Sequence, residues 1–357
     1  MKENDHSDKV GIEKKSIELQ NCNFAKNILM IIVIIYHSIM FWSGDWFSEE
    51  PIRSNSVLPV IAKWMNTFHI SGFTLISGYI YYYVRFERNS YTKYKEFIKK
   101  KVKRLIIPYI FVAILWVIPL GYIFFRYSVS DVINSFAIGK SPAQLWYLLM
   151  LFEVFALFPL FEKLIVKSTI ASFAIVGSFW VLGAAGKYFD VNYFQIFTAF
   201  CFISYFIVGF KLRQYSNLIR FKGTYAFVIV VLQIIMFVIS LKVEAKDAVA
   251  FKILSIILDF IVTQLGAVGA FYLLQSAANT FKKRGKVYTF LQKSNMVIYL
   301  LHQQIIYFSL WALNGRLNPY THSFVNFIFA FSVSSILAFI LLKFRITSFV
   351  LGEKYEK

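Results

Sequence analysis

Apolar runs of about twenty residues alternate with short charged stretches from residue 24 to residue 342. A run of that length crosses a bilayer as a helix, because a helix rises about 1.5 Å per residue. The pattern predicts ten spans: 24–42, 57–83, 105–125, 143–162, 169–186, 193–210, 224–241, 249–275, 295–312 and 323–342. The fold class is therefore all-α, a polytopic integral membrane protein. Residues 1–23 form an N-terminal tail, 24–342 a membrane domain and 343–357 a C-terminal tail. No extramembrane segment within these 357 residues is long enough for a second domain.

Composition agrees with the pattern. Hydrophobic residues make up 58% of the chain and mean hydropathy is +0.59, more apolar surface than a soluble domain of this size hides. The net charge of +19 does not argue for nucleic acid, because the basic residues fall in short loops between spans. Counting Lys26, 29 of the 38 Lys and Arg lie in the N-terminal segment, 85–104, the turn near Lys163, 211–222, 282–293 and the C-terminal tail. The positive-inside rule then puts both termini in the cytoplasm. The two cysteines, Cys22 and Cys201, make no disulfide framework or metal spacing. No metal signature, phosphate loop or nucleophile elbow occurs. No cleavable signal peptide is expected, since mostly polar residues precede the first run.

The first span carries chemistry. Lys26 and His37 are separated by NILMIIVIIY, which contains one amide and no charge. Eleven helical steps close three turns to within about 20°, so both residues share a face about 16 Å apart. Ionisable groups within a span are costly and usually line a cavity or pair with something. The structural alternative makes Lys26 an interface anchor and His37 a hydrogen-bonded core residue. Counted from the basic ends of their spans, His37, Glu153, His302 and His69 all fall about 13–24 Å deep. Trp146 shares a face with Glu153, and Asn295, Tyr299 and His302 form a polar stripe. Separately these residues read as glue between helices; together they suggest a polar cavity near the midplane. Ser71 and Gly78 would let another helix approach closely.

The segment RFERNSYTKYKEFIKKKVKRLIIPYI, residues 85–110, is the most charged. It reads either as a topology signal attracted to anionic lipid headgroups or as a cradle for a polyanionic cofactor.

Several segments together resemble the membrane-bound acyltransferase 3 family, which includes cell-surface polysaccharide O-acetyltransferases. They are NCNFA followed by Lys26 and His37; FHISGFTLISGY at 68–79; Arg104-LII-Pro108-Tyr109; LWYLLMLFEVF at 145–155; YFIVGFKLR at 205–213; and SNMVIYLLH at 294–302. They keep family order over nearly the whole chain. Three positions depart from the usual pattern: Lys26 replaces arginine, Asn23 an acidic residue and Ser71 a proline. Lysine keeps the charge but lacks the planar fork.

The resemblance implies an O-acyltransferase of the bacterial cytoplasmic membrane. It would take acetyl-CoA, or another acyl-CoA, as donor substrate, with no permanently bound cofactor, metal or nucleic acid. The acceptor would be a sugar hydroxyl of a surface polysaccharide or its lipid-linked precursor. Lys26, Lys99, Lys100, Lys101, Lys103 and Arg104 become candidates for holding the phosphates of coenzyme A. His37 becomes the candidate general base, with Glu153 orienting it. His302, Tyr299, His69 or Ser77 would serve the tetrahedral intermediate, and Trp146 the substrate pocket. An acyl-histidine route stays open beside direct transfer. A flippase, transporter or polymerase of the same glycan pathway is the alternative, and would move substrate without consuming acyl-CoA.

Overall fold

A computed structural model describes residues 3–44, 46–216, 218, 223–246, 248–281 and 285–355, except the side chains of 3–17 and 187. The described residues contain helices and turns and no strand. In chain order the α-helices are α1 (Glu3–Ile39), α2 (Val57–Asn66), α3 (His69–Tyr82), α4 (Tyr94–Lys101) and α5 (Ile107–Val112). There follow α6 (Ile118–Phe125), α7 (Val129–Val132), α8 (Trp146–Lys167), α9 (Thr169–Tyr188) and α10 (Ile196–Gln214). The last five are α11 (Gly223–Glu244), α12 (Val249–Thr280), α13 (Lys286–Leu313), α14 (Pro319–Leu341) and α15 (Arg345–Val350). The protein is an all-α, multi-pass membrane protein.

Among the described residues eight helical segments are long and apolar enough to cross a membrane, against the ten runs expected. The other two differ for identifiable reasons. The run 57–83 breaks between α2 and α3, where side chains take the carbonyls that a continuing helix needs. The Thr67 hydroxyl donates to Trp64 O at 2.6 Å, and His69 Nδ1 lies 2.7 Å from Met65 O. Helix α8 is uninterrupted but carries Glu153, Glu162 and Lys163. Glu162 is buried and paired: the Tyr81 hydroxyl donates to it at 2.5 Å and Arg85 Nε at 3.0 Å.

The stretch Tyr94–Phe125 is one helical run opened twice into wider, π-helical turns, at Val102–Ile106 and Ala113–Val117. Each lies just before a proline, Pro108 and Pro119. A proline ring crowds the carbonyl four residues back and offers no N–H to it. The chain widens instead, with Ile107 N–H donating to Val102 O and Ile118 N–H to Ala113 O, each five residues back. The first wide turn carries Lys103 and Arg104.

Helix α3 packs hardest against α10. A Cβ on Gly78 would lie 2.0 Å from Phe206 O, and one on Gly209 would lie 1.9 Å from Leu75 O. The two glycines let the backbones touch, as small residues do between membrane helices. The expected small-residue contact at Gly78 therefore has its partner on α10. Helix α13 is the most enclosed candidate span and runs through the middle of the bundle beside α1 and α14.

Candidate active site

A cavity of about 370 Å³ opens between α1, α3, the 91–105 segment, α8 and α13. Its volume falls within the usual range for a small-molecule pocket, about 300–1,000 Å³. Lys26, Lys101 and Arg104 form its charged part, with Asn23 and Asn295 beside them. Leu148, Leu151 and Phe155 of α8 and Ile70 and Phe73 of α3 make it apolar, and Ser77, Tyr147 and Tyr299 give it hydroxyls. Residues from distant parts of the chain are held there by side-chain hydrogen bonds. The Asn295 amide, for example, donates to Lys26 O at 3.2 Å and to Asn27 Oδ1 at 3.1 Å, tying α13 to α1.

Lys101 reaches the cavity through aromatic rings. Its ammonium lies 3.5 Å from the Phe155 centroid and 5.4 Å from that of Tyr91. Such faces attract a cation while leaving its hydrogen-bond donors free for another anion. Arg104 Nη2 lies 3.5 Å from Glu353 Oε1, and the Arg104 and Lys26 charges both act on that carboxyl. Burial holds Glu353 above the usual carboxylate range, an effect that Arg104 and Lys26 partly offset.

Tyr299 links the cavity to a histidine pair. Its ring lines the cavity, its hydroxyl donates to Gln144 O at 2.5 Å, and its backbone carbonyl lies 2.6 Å from His302 Nδ1. His302 Nε2 in turn lies 2.9 Å from His37 Nδ1. For neutral rings the bonding pattern assigns the protons. A carbonyl only accepts, so His302 carries its proton on Nδ1 and offers a lone pair at Nε2. His37 must then donate from Nδ1, which leaves the lone pair on its Nε2. His302 is fully buried, whereas His37 keeps partial exposure and stacks on Trp46 with ring centroids 5.8 Å apart. His69 sits behind Tyr36, their centroids 4.5 Å apart.

Of the residues singled out from sequence, Lys26, Lys101, Arg104, Ser77 and Tyr299 meet at the cavity, and His37 pairs with His302. Others do not join them. Lys99, Lys100 and Lys103 are exposed and outside the cavity wall; Lys100 lies over Tyr91 and Lys103 over Phe349. The cradle narrows to three cations because consecutive helical residues face different directions. Trp146 packs on Phe202 and Tyr147 rather than on the cavity. Glu153 does not orient His37. At about 100° per residue it stands roughly 140–160° around α8 from Leu148, Leu151 and Phe155, outside the cavity wall, and the His37 ring is bonded by His302.

Sequence reasoning passed over Gln144, whose amide donates to Leu300 O at 2.8 Å and to Gln304 Oε1 at 2.6 Å, fixing the turn of α13 below His302. A buried amide directly before the LWYLL run was the available signal. It also passed over Tyr147 and Glu353.

No curated protein and no solved structure gives a significant match to the chain. A family profile described as an acyltransferase domain matches residues 20–343, a range that contains Lys26, the cavity and both histidines of the pair. The chain belongs to the acyltransferase 3 family of membrane acyltransferases.

Proposed function

We propose that this acyltransferase moves an acetyl or related acyl group from acyl-CoA to a sugar hydroxyl, on a surface polysaccharide or its lipid-linked precursor. The observation that carries the reading is the joining of a cation-mouthed cavity to a histidine pair through one residue, Tyr299. The positive-inside pattern supports a cytoplasmic basic mouth, on the side where acyl-CoA is found; the bacterial cell membrane is the location that the family resemblance implies. Lys26, Lys101 and Arg104 bind the phosphates by charge-assisted hydrogen bonds. The apolar wall of Leu148, Leu151 and Phe155 takes the pantetheine arm.

His37 Nε2 is the general base. A sugar hydroxyl is a poor nucleophile until its proton leaves as it attacks. His37 Nε2 accepts that proton while the sugar oxygen bonds to the thioester carbonyl carbon. His302 Nε2 accepts the His37 Nδ1 proton throughout, so it fixes the tautomer and shares the imidazolium charge. The carbonyl oxygen becomes negative, and Tyr147 is the hydroxyl on the cavity wall suited to meet it; the Ser77 hydroxyl donates to Phe73 O at 2.9 Å and contributes only by turning from it. Collapse breaks the carbon–sulfur bond. The proton held by His37 passes to the thiolate, leaving an O-acyl sugar and free coenzyme A.

Surface glycan from a deletion strain complemented with wild type or His37→Ala tests the reading by NMR. O-acetyl signals restored by wild type and missing with well-expressed His37→Ala are expected. Signals restored equally by both would remove His37 as base. Purified protein that moves glycan lipid and consumes no acyl-CoA would replace the reading with transport.

A further inference from the structure

The basic mouth of the cavity has a carboxylate built against it. Glu353 lies beyond α15, its backbone tied to that helix. Its N–H donates to Ser348 O at 2.8 Å, and Leu351 two residues earlier is buried. Gly352 between them sits at φ +73°, and a Cβ there would lie 2.9 Å from both Arg104 O and Pro108 Cγ. The backbone of the tail thus rests directly on the widened turn that Pro108 opens. Lys103 adds a second hold, its ammonium 4.6 Å from the Phe349 ring centroid. The Glu353 side chain is 16% exposed, yet its contact with Arg104 is a single long one at 3.5 Å.

That combination is unusual for a stabilising pair. A carboxylate taken mostly out of water normally gains short, paired hydrogen bonds in return. Here it gains one loose contact and the field of Arg104 and Lys26. A phosphate would bind the Arg104 fork better, with two parallel charge-assisted bonds.

We propose that Glu353 is a specificity-determining residue of the donor site, an internal anion that a donor phosphate must replace on Arg104. The inference rests on the acyl-CoA reading above. Without donor, Glu353 partly offsets the charges of Arg104 and Lys26, so weak single anions gain little by entering. A multiply charged phosphate group outcompetes it, and its return favours release of free coenzyme A after transfer.

The test compares wild type, Glu353→Gln and Arg104→Gln, purified in detergent, for binding of coenzyme A and of acetyl-pantetheine, which carries no phosphate. Glu353→Gln is expected to lower the Kd for coenzyme A by about three- to tenfold, more at low salt, by removing one like charge from the mouth. Acetyl-pantetheine binding stays as in wild type, which a general disturbance of the tail would not allow. Glu353→Ala should reproduce the effect. Coenzyme A binding unchanged or weakened in both Glu353 variants, while Arg104→Gln still reduces it, overturns the exchange and leaves the donor site standing. Wild type that binds no coenzyme A overturns both readings.

Discussion

The two ends of the site work by different physics. At the mouth, Lys26, Lys101 and Arg104 act through charge, the two lysines half-buried and Arg104 exposed. At the inner end, His37 and His302 act through hydrogen bonds whose directions are fixed by a backbone carbonyl. Charge at a mouth attracts from a distance and is weakened by salt. A directed hydrogen bond acts over a few ångströms and is indifferent to salt. Substitutions at the two ends should therefore separate binding from chemistry.

The largest effect belongs to the inner end. His37→Ala should lower the transfer rate by about 10³-fold or more, with coenzyme A binding within about twofold of wild type. Single-turnover assay and equilibrium binding on the same preparation check both halves. Loss of binding together with rate would place His37 in the donor pocket and merge the two ends.

His302→Ala comes next, with about a 10²-fold loss in kcat and little change in KM for acyl-CoA. The reason is indirect, since His302 holds the His37 proton on Nδ1 and so keeps Nε2 free. His302→Gln should recover part of the rate, because its amide oxygen also accepts a hydrogen bond. No difference between Ala and Gln would mean that the ring matters for packing rather than for the tautomer.

How far these roles were readable in the sequence follows from the same distinction. The apolar runs fixed where helices lie, since burial in lipid acts on every residue of a run. The break at Thr67 and His69 was not readable, because it depends on side chains capturing carbonyls a turn away. Depth counting brought His37 and His302 to comparable levels, because it needs only the helical rise. It did not reveal that they touch, and it suggested Glu153 as partner at equal depth. Depth fixes one coordinate of three; the rotation of α8 decides the matter and leaves Glu153 outside the cavity wall. The basic loop was legible as a cluster but not residue by residue, for a similar reason. The widened turn at Val102–Ile106 changes the rotation of everything before it, so an ideal helical count fails there.

At the mouth, Arg104→Gln and Lys26→Gln should each raise KM for acyl-CoA by about tenfold while leaving kcat nearly unchanged. The penalty should shrink as salt rises, because screening already weakens the wild-type attraction. Equal losses at low and high salt would mean that these residues act through packing. KM and kcat measured across an ionic-strength series distinguish the two.

The smallest expected effect is the sharpest check on the geometry of the mouth. Lys101 and Lys103 are two residues apart, carry the same charge and belong to the same basic run. Lys101 lines the cavity beneath Phe155, whereas Lys103 is exposed and lies over Phe349. A diffuse basic patch would treat them alike, because each removes one charge from the same neighbourhood. A built phosphate site would not. Lys101→Gln should raise KM for acyl-CoA several-fold, and Lys103→Gln by less than about twofold, the size of an exposed surface-charge effect. Equal changes would return the loop to a general electrostatic attraction, with no particular cation assigned to the donor. A clear difference would tie donor binding to the direction each lysine takes from the widened turn, and hence to Pro108, which opens it.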